Sequence, residues 1–310
     1  TLMPADRMST VDEHVERILA GVEPLPPYDQ PLLEALGLPV SEQVVSPMDL
    51  PGFDNSAMDG YAVRAGDVAQ ATADSPVLLP VAGDIAAGSP RTDLAPGTTQ
   101  RIMTGAPVPR GADAVVEVEV TDGGTTTVAI TAARASGTFV RPTGSDVAVG
   151  DEVLTAGAIL GPAQIGVLAA LGVTTVVVRR RPRVLVCSTG SELAEDPVPG
   201  SGQIRDANGA LLAAAVEEAG ATAVRTLWVA DDVPAFLALL DEATGAGDID
   251  LVLTSGGVSA GAYEVVKDGL GPRGVEFVKV AMQPGMPQGS GLVGGVPVVC
   301  LPGNPVSALT

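Results

Sequence analysis

From about Arg181 to the end of the chain, short apolar runs alternate with stretches of helical periodicity, and this alternation constrains the fold more than any other feature. It predicts βαβ units and hence a largely parallel sheet covered by helices. The expected elements are strands at Val184–Cys187, Val224–Val229, Leu251–Leu253, Val275–Val280 and Val296–Leu301, and helices near Ala207–Ala219, Pro234–Ala243 and Tyr263–Leu270.

Polar, glycine-rich loops follow these strands and should meet at the carboxyl edge of the sheet, where open α/β sheets bind ligands. Several lead into helices, whose free N–H groups suit a phosphate. Neither G-x-x-x-x-G-K-[ST] nor G-x-G-x-x-G occurs, which excludes P-loop and dinucleotide sites. The loops indicate an enzyme with a phosphate or nucleotide ligand, although ordinary turns also favour Gly and Ser. They are Ser188-Thr189-Gly190, Asp231-Asp232, Thr254–Ser259, Gln283–Gly285 and Pro302–Pro305.

The first half of the chain has a different pattern. Thr10 and Glu13 form a T-x-x-E capping box, which predicts a helix start, and five apolar residues from Val11 to Val22 recur along one face of that helix. From about Pro47 to Gly150, short β-type runs are broken by Gly and Pro, which is typical of a compact β domain. Residues 150–175 then predict a strand, a turn and a helix.

Composition excludes several classes of partner. The net charge of −20 has the wrong sign for a nucleic-acid or anionic-membrane binder, and 3% aromatic residues leave no stacking surface for single strands. No signal core and no apolar run of membrane length occurs, so we expect a cytoplasmic protein. Cys187 and Cys300 end apolar runs and should be reduced core residues. Because His14 is the lone histidine, any metal should have oxygen ligands.

The segment Pro51–Ala62 reads P-G-F-D-N-S-A-M-D-G-Y-A. Two carboxylates, an Asn and a Ser form a cluster of hard oxygen donors, for which a turn rich in Asx hydrogen bonds is the alternative. The string is similar to the signature of the MoeA and gephyrin E-domain family, the molybdopterin molybdenumtransferases. Further matches follow in the same order: Arg101–Pro107, Gly144 with Asp146, Gly150-Asp151, Ser188-Thr189-Gly190 with Glu192-Leu193, Gly202-Gln203-Ile204, Asp231-Asp232, Ser255–Ser259 and Leu301–Ser307.

This resemblance implies a multidomain fold of α/β plus β parts, in which a three-layer α/β domain resembles molybdopterin adenylyltransferases and a β-rich lobe is inserted into a small β module. It also implies a homodimer, and it admits a molybdopterin adenylyltransferase as a further partner. The family's C-terminal β domain is expected to be absent from this chain. The expected parts are the α/β domain (residues 1–27 and 176–310), the small module (28–46 and 150–175) and the lobe (47–149).

The reaction implied by the resemblance is a transferase reaction. It inserts molybdenum into adenylylated molybdopterin, takes molybdate, releases AMP and molybdenum cofactor, and uses a divalent cation, usually Mg²⁺. The implied catalytic carboxylates are Asp59, Asp146, Glu192 and Asp231. Of these, Glu192 and Asp231 would also hold the metal, together with Glu264. The implied substrate-binding residues are Thr104, Ser188, Thr189, Gly190, Ser255, Gly256, Gly257, Ser259, Lys279, Pro302, Asn304 and Pro305.

Two departures from the family pattern bear on this site. Glu264 stands where the family often has Asp, and the family's K-P-G-K-P loop is Gln283–Pro287 here, which removes two cations from an anion site. Two other functions stay open. A molybdopterin adenylyltransferase would also suit the Ser255–Gly257 loop, but that family lacks the lobe that carries Asp59. A non-catalytic scaffold of the gephyrin E-domain type is the second alternative, against which the acidic site residues argue.

Overall fold

The computed structural model describes residues 8–194, 198–258 and 264–310, apart from the side chains of residues 225 and 226. The chain forms two compact units: unit 1 comprises Thr1–Tyr28 and Arg179–Thr310, and unit 2 comprises Asp29–Val178. Unit 2 spans the residues assigned above to the small module and the lobe, whose separation stays a prediction. Within the described ranges, no helix has the length and apolar composition needed to cross a membrane.

The elements are numbered here in chain order. The α-helices in the described ranges are α1 (Val11–Ala20), α2 (Pro162–Ala170), α3 (Ala207–Glu218), α4 (Val233–Gly245), α5 (Val265–Leu270) and α6 (Pro305–Leu309). The strands are β1 (Pro27–Pro31), β2 (Val44–Val45), β3 (Asn55–Ser56), β4 (Gly60–Val63), β5 (Val77–Ile85), β6 (Thr99–Ile102), β7 (Ala114–Glu117), β8 (Thr127–Ile130), β9 (Val140–Arg141), β10 (Glu152–Leu154), β11 (Thr175–Arg179), β12 (Arg183–Thr189), β13 (Thr222–Val229), β14 (Leu251–Ser255), β15 (Glu276–Lys279), β16 (Pro287–Val293) and β17 (Val296–Leu301).

Unit 1 is built on a six-stranded sheet in the order β13-β12-β14-β17-β16-β15. The first four strands run parallel, which confirms the βαβ prediction for them. The last two, β16 and β15, run antiparallel at one edge. The sequence pattern does not predict β16, because Pro287, Gly289 and Gly291 interrupt it. These glycines allow close packing, since a Cβ at Gly289 would lie 2.7 Å from the ring of Phe277.

Helices cover both faces of this sheet. One face is covered by α3 through Leu212 and Val216. The other is covered by α4 and α5, in a core that includes Phe236, Cys187 and Cys300. Both cysteines are buried free thiols, which confirms the prediction for them. Burial raises the pKa of each thiol to about 12, so neither ionises near neutral pH.

Helix α1 begins with the predicted capping box, in which the Glu13 N–H donates to the Thr10 hydroxyl at 3.1 Å and the Thr10 N–H donates to the Glu13 carboxylate at 2.9 Å. Its packing differs from the hydrophobic pattern. His14 is the buried residue of the helix, whereas Val15 and Leu19 are 46% and 62% exposed. The apolar face of α1 is therefore exposed, and the helix packs on β16 through a different face.

Unit 2 contains a five-stranded sheet in the order β7-β4-β6-β5-β8. Strand β4 is buried on both faces: Tyr61 and Val63 belong to one core and Ala62 to another, as the two-residue period of a strand requires. A further core, around Leu160 and Leu168, includes residues of α2. The β structure predicted for residues 47–150 is thus present as this five-stranded sheet.

Candidate functional site

A cavity of about 570 Å³ opens at the carboxyl edge of the sheet in unit 1. This is the edge at which the sequence predicts a ligand site. Strands β12, β14 and β17 end at the cavity, and α3 begins beside it, so glycine-rich loops and a helix N-terminus surround the same space. Its walls are residues 188–190, 192–193, 204–208, Asp231, 255–258, 283–287, 302–305 and Ser307.

Most of the ligand residues predicted for unit 1 line this cavity. Lys279 and Glu264 do not: Lys279 is exposed at the end of β15, and Glu264 is buried at the start of α5. Ser259 lies outside the described residues. The loops after β12, β13, β14 and β17 meet here as predicted. The predicted residues in the wall are Ser188, Thr189, Gly190, Glu192, Asp231, Ser255, Gly256, Gly257, Pro302, Asn304 and Pro305.

Gly256 sets the course of the loop that follows β14. Its φ of +94° lies in the left-handed region that favours glycine. The Gly256 N–H donates to the Leu301 carbonyl at 3.0 Å, which ties the loop to β17. A Cβ at this position would lie 2.5 Å from the Thr189 carbonyl oxygen at the end of β12. A larger residue is therefore excluded, and the ends of three strands can approach one another closely.

Glu192 and Asp231 are predicted metal ligands, and both line the cavity. The Asp231 carboxylate accepts a hydrogen bond from the Ser191 N–H at 3.0 Å, and the Asp231 N–H donates to the Ser191 hydroxyl at 3.1 Å. These two bonds join the loops after β12 and β13. Gly190 gives room for Glu192, because a Cβ at Gly190 would lie 2.5 Å from Glu192 Oε2. Because Ser191 directly precedes Glu192 in the chain, the two bonds between Ser191 and Asp231 also hold the loop of Glu192 beside the loop of Asp231.

Two of the three predicted metal ligands, Glu192 and Asp231, line the cavity. Among the described residues, no three His, Cys, Asp or Glu side chains lie close enough together to hold an ion. Mg²⁺ commonly binds through one or two carboxylates and takes its other ligands from water and substrate phosphates. Glu192 and Asp231 fit that mode of binding, whereas Glu264 does not line the cavity.

In unit 2, Asp59 and Thr104 form a hydrogen-bonded pair. Asp59 Oδ1 accepts from the Thr104 N–H at 2.7 Å and from the Thr104 hydroxyl at 2.8 Å. Both hydrogen bonds lower the pKa of Asp59 below its ordinary value, and the bond from the Thr104 N–H has the larger effect. This carboxylate is therefore charged at neutral pH. Asp146 is exposed, and its N–H donates to the Leu50 carbonyl at 3.0 Å.

Comparison with known protein families accounts for both units. Residues 9–172 match the family described as the MoeA N-terminal region (domain I and II), and residues 185–310 match a probable molybdopterin binding domain. The chain belongs to the MoeA family. The first match covers most of unit 2 together with α1 of unit 1, and the second covers most of the rest of unit 1.

Relatives within the MoeA family agree. Two proteins of Mycobacterium tuberculosis, named molybdopterin molybdenumtransferase 2 and 1, are 55% and 41% identical to this chain. Each alignment covers 97% of this chain, and they cover 76% and 75% of the respective relatives. A crystal structure of a molybdopterin biosynthesis moeA protein from Pyrococcus horikoshii OT3 has a TM-score of 0.83 at 30% identity, over 98% of this chain and 76% of that one.

One feature of this MoeA-family cavity is missing from the residues predicted by sequence. Among the described residues of the cavity wall, Arg205 is the single Lys or Arg side chain. It stands directly before Asp206, whose carboxylate caps α3 by accepting from the Gly209 N–H at 2.9 Å. The signal was available, since Arg205 directly follows the matched string Gly202–Ile204 and precedes a predicted helix.

Proposed function

We propose that this chain inserts molybdenum into adenylylated molybdopterin, taking molybdate and releasing AMP and molybdenum cofactor. The name of the relatives, molybdopterin molybdenumtransferase, supports a transferase. The observation that carries the proposal is the cavity of unit 1, because glycine-rich loops after parallel strands and the N-terminus of α3 surround it. The match of residues 9–172 to the MoeA N-terminal region favours this activity over that of a molybdopterin adenylyltransferase.

Backbone groups and carboxylates of the cavity would have different roles in binding the substrates and the metal. The loops Ser188–Gly190, Ser255–Gly257 and Pro302–Pro305 would offer backbone N–H groups to phosphate oxygens. Glu192 and Asp231 would hold Mg²⁺, which when bound supplies positive charge to the phosphoanhydride and molybdate oxygens. In this arrangement the protein acts mainly by positioning the substrates and by stabilising charge, rather than by a covalent step of its own.

Other parts of the proposal rest on the sequence and on its resemblance to the MoeA family. They are the dependence on Mg²⁺, the homodimer, the cytoplasmic location, the adenylyltransferase partner, the three-layer description and the domain boundaries. We retain Asp59 and Asp146 as proposed catalytic carboxylates, Thr104 and Lys279 as proposed substrate ligands, and Glu264 as a proposed metal ligand. Ser259, which lies outside the described residues, stays a proposed substrate ligand, and the other predicted residues of unit 1 are supported by their position in the cavity wall.

A turnover assay tests this function. The purified protein is incubated with adenylylated molybdopterin, molybdate and MgCl₂, and the AMP released and molybdenum cofactor formed are measured. We expect release of AMP that requires molybdate, because the adenylyl group leaves as the metal is inserted. Binding of the adenylylated pterin without release of AMP would favour the scaffold alternative. Consumption of ATP with unmodified molybdopterin would instead favour an adenylyltransferase.

Replacing Arg205 by Ala should raise the KM for adenylylated molybdopterin about tenfold, with a smaller change in kcat. The net charge of −20 repels an anionic substrate, and Arg205 is the cation of the described cavity wall. One charge-assisted hydrogen bond is worth about 1.5 kcal/mol, which corresponds to about tenfold in binding. Initial rates over a range of substrate concentrations, at fixed MgCl₂, give both constants.

The matched control is Arg181→Ala, which makes the same charge change at an exposed position outside the cavity. Its KM should stay within about twofold of wild type, because solvent and salt screen a distant charge. Lys279→Ala tests the cation predicted from the sequence, and a sharp rise in the molybdate requirement would support it. If Arg205→Ala behaves like Arg181→Ala, backbone N–H groups and the metal bind the anion without Arg205.

A further inference from the structure

The sheet of unit 1 becomes polar at its carboxyl end on the face covered by α3. On that face β12 presents Val184 and Val186, and both pack against α3 residues. Two residues further along β12 stands Ser188, which is paired in register with Ser255 of β14. Both serines are buried, at 1% and 2% exposure. On this face of the sheet, the hydroxyl groups of Ser188 and Ser255 thus take the place of apolar side chains next to the cavity.

Asn208 faces this polar row from the first turn of α3. Its side chain is largely buried, at 9% exposure. Its Nδ2 donates to Ser255 Oγ at 2.6 Å and to the Gly303 carbonyl at 2.7 Å. The Ser255 hydroxyl in turn donates to the Pro302 carbonyl at 3.2 Å. One amide group therefore links the loop after β14 to the loop after β17.

Both N–H donors of the Asn208 side-chain amide form hydrogen bonds. An Asn side chain carries two N–H donors on one nitrogen, and here each has a separate acceptor. Asp has the same shape and no donor when ionised, and Ala has neither the size nor the donor. Few side chains can therefore replace Asn208.

The two linked loops must keep a close separation. The Gly256 N–H donates to the Leu301 carbonyl, and a Cβ on Gly303 would lie 3.4 Å from the Gly256 Cα. Backbone N–H groups bind an anion well only when they point to one place at fixed distances. A change of a few tenths of an ångström between the loops would separate the two sets of donors.

We propose that Asn208 is a positioning residue, which holds the Ser255–Gly257 and Pro302–Gly303 loops at the separation needed for both to bind the same phosphate-bearing substrate. The substrate assignment rests on the proposed function, whereas the bonds between the loops do not. Asn208 acts through Ser255 and Gly303 rather than by contact with reacting atoms. Its loss should therefore weaken substrate binding more than it slows turnover at saturation.

Hydrogen–deuterium exchange in the protein without substrate tests the link between the loops. In Asn208→Ala and Asn208→Asp, amides of segments 255–258 and 301–305 should exchange at least about tenfold faster than in wild type. Ser255→Ala removes the bond from Asn208 to Ser255 and the bond from Ser255 to the Pro302 carbonyl. It should therefore also accelerate exchange in both segments, so the test stands even if one Asn208 variant does not fold. Unchanged exchange in both segments in the folded Asn208 variants would overturn the proposal.

The matched control is Val216→Ala, which weakens the same helix about 12 Å from Asn208. Val216 is buried against the sheet and does not line the cavity. A similar loss of melting temperature is expected, with unchanged exchange in the two loops. If the Val216 variant accelerates both loops equally, Asn208 has a general structural role only, and the proposal is wrong.

Steady-state kinetics then separate this proposal from the function on which it rests. In Asn208→Ala, KM for adenylylated molybdopterin should rise about tenfold while kcat falls less than about threefold. If wild-type protein releases no AMP, the proposed function fails, and the exchange result still decides whether Asn208 links the loops. If wild-type protein is active and Asn208→Ala keeps its KM, the positioning role fails while the function stands.

Discussion

Asp231→Asn should lower turnover about 100-fold, which corresponds to about 2.7 kcal/mol of activation free energy. Asn keeps an oxygen that can accept from the Ser191 N–H, so the link between the loops after β12 and β13 survives. The loss is one of two carboxylates proposed to hold the metal at the cavity. Removing one preorganised electrostatic group commonly costs about 10²–10³ in rate. Initial rates over a range of MgCl₂ concentrations should also show weaker Mg²⁺ saturation.

The neighbouring residue supplies a closely matched control. Asp232→Asn makes the same chemical change one position away, and Asp232 does not line the cavity. Its carboxylate caps α4 by accepting from the Ala235 N–H at 2.9 Å, a role that Asn fills equally well. Rates near wild type are expected. Glu192→Gln should resemble Asp231→Asn. If both of these variants keep the Mg²⁺ dependence of wild type, the assignment of the metal to this cavity is wrong.

The parallel part of the fold and the position of the cavity could be predicted from sequence for one physical reason. Strands buried on both faces of a parallel sheet are continuous apolar runs, and β12, β14 and β17 read that way. Once such strands are parallel, their following loops must meet at one edge. The residues of those loops, including Asp231 after β13, then needed no further information to be placed together, whereas Glu192 was predicted from the resemblance to the MoeA family.

Other features depend on tertiary contacts that a local pattern does not contain. The apolar face of α1 predicts burial, but His14 is the residue that the packing buries, and Val15 remains exposed. Strand β16 is defined by its partners on either side rather than by its own residues. Asn208 resembles any polar residue of a first helical turn, because its acceptors lie 47 and 95 positions away in the sequence.

The second prediction with a large expected effect concerns the stability of the protein. The residue involved, Asp250, lies at the amino ends of the parallel strands of unit 1, opposite the carboxyl edge where the cavity opens. Asp250 precedes β14, and its carboxylate accepts hydrogen bonds from Arg180, from the Arg183 side chain and from the Arg183 N–H at 2.7 Å. The Asp250 side chain is 11% exposed, whereas the Arg180 and Arg183 side chains are 36% and 30% exposed. The carboxylate thus joins the start of β12 to the start of β14 in a site with little solvent.

Asp250→Asn should destabilise the protein by about 3 kcal/mol at neutral pH, because it leaves two arginines and an N–H around a neutral group. The melting temperature should fall by on the order of 8 °C. Asp241→Asn is the matched control, since Asp241 pairs with Arg273 and its side chain is 54% exposed. That pair should contribute less than about 1 kcal/mol. Turnover below the melting range should change little in either variant, because neither residue lines the cavity.

The pH dependence of the difference in melting temperature between wild type and Asp250→Asn identifies the cause of that difference. Burial raises the pKa of Asp250, but hydrogen bonds from Arg180 and Arg183 outweigh it and hold the pKa well below its usual value of 3.8. Because the folded-state pKa lies below the unfolded one, the stabilisation is present above about pH 4 and is lost as the pH falls further. The difference in melting temperature between wild type and Asp250→Asn should therefore be constant from about pH 8 to pH 5 and shrink below about pH 4. A difference that persists undiminished in acid would mean that Asn disturbs the packing, and that the charge of Asp250 contributes little.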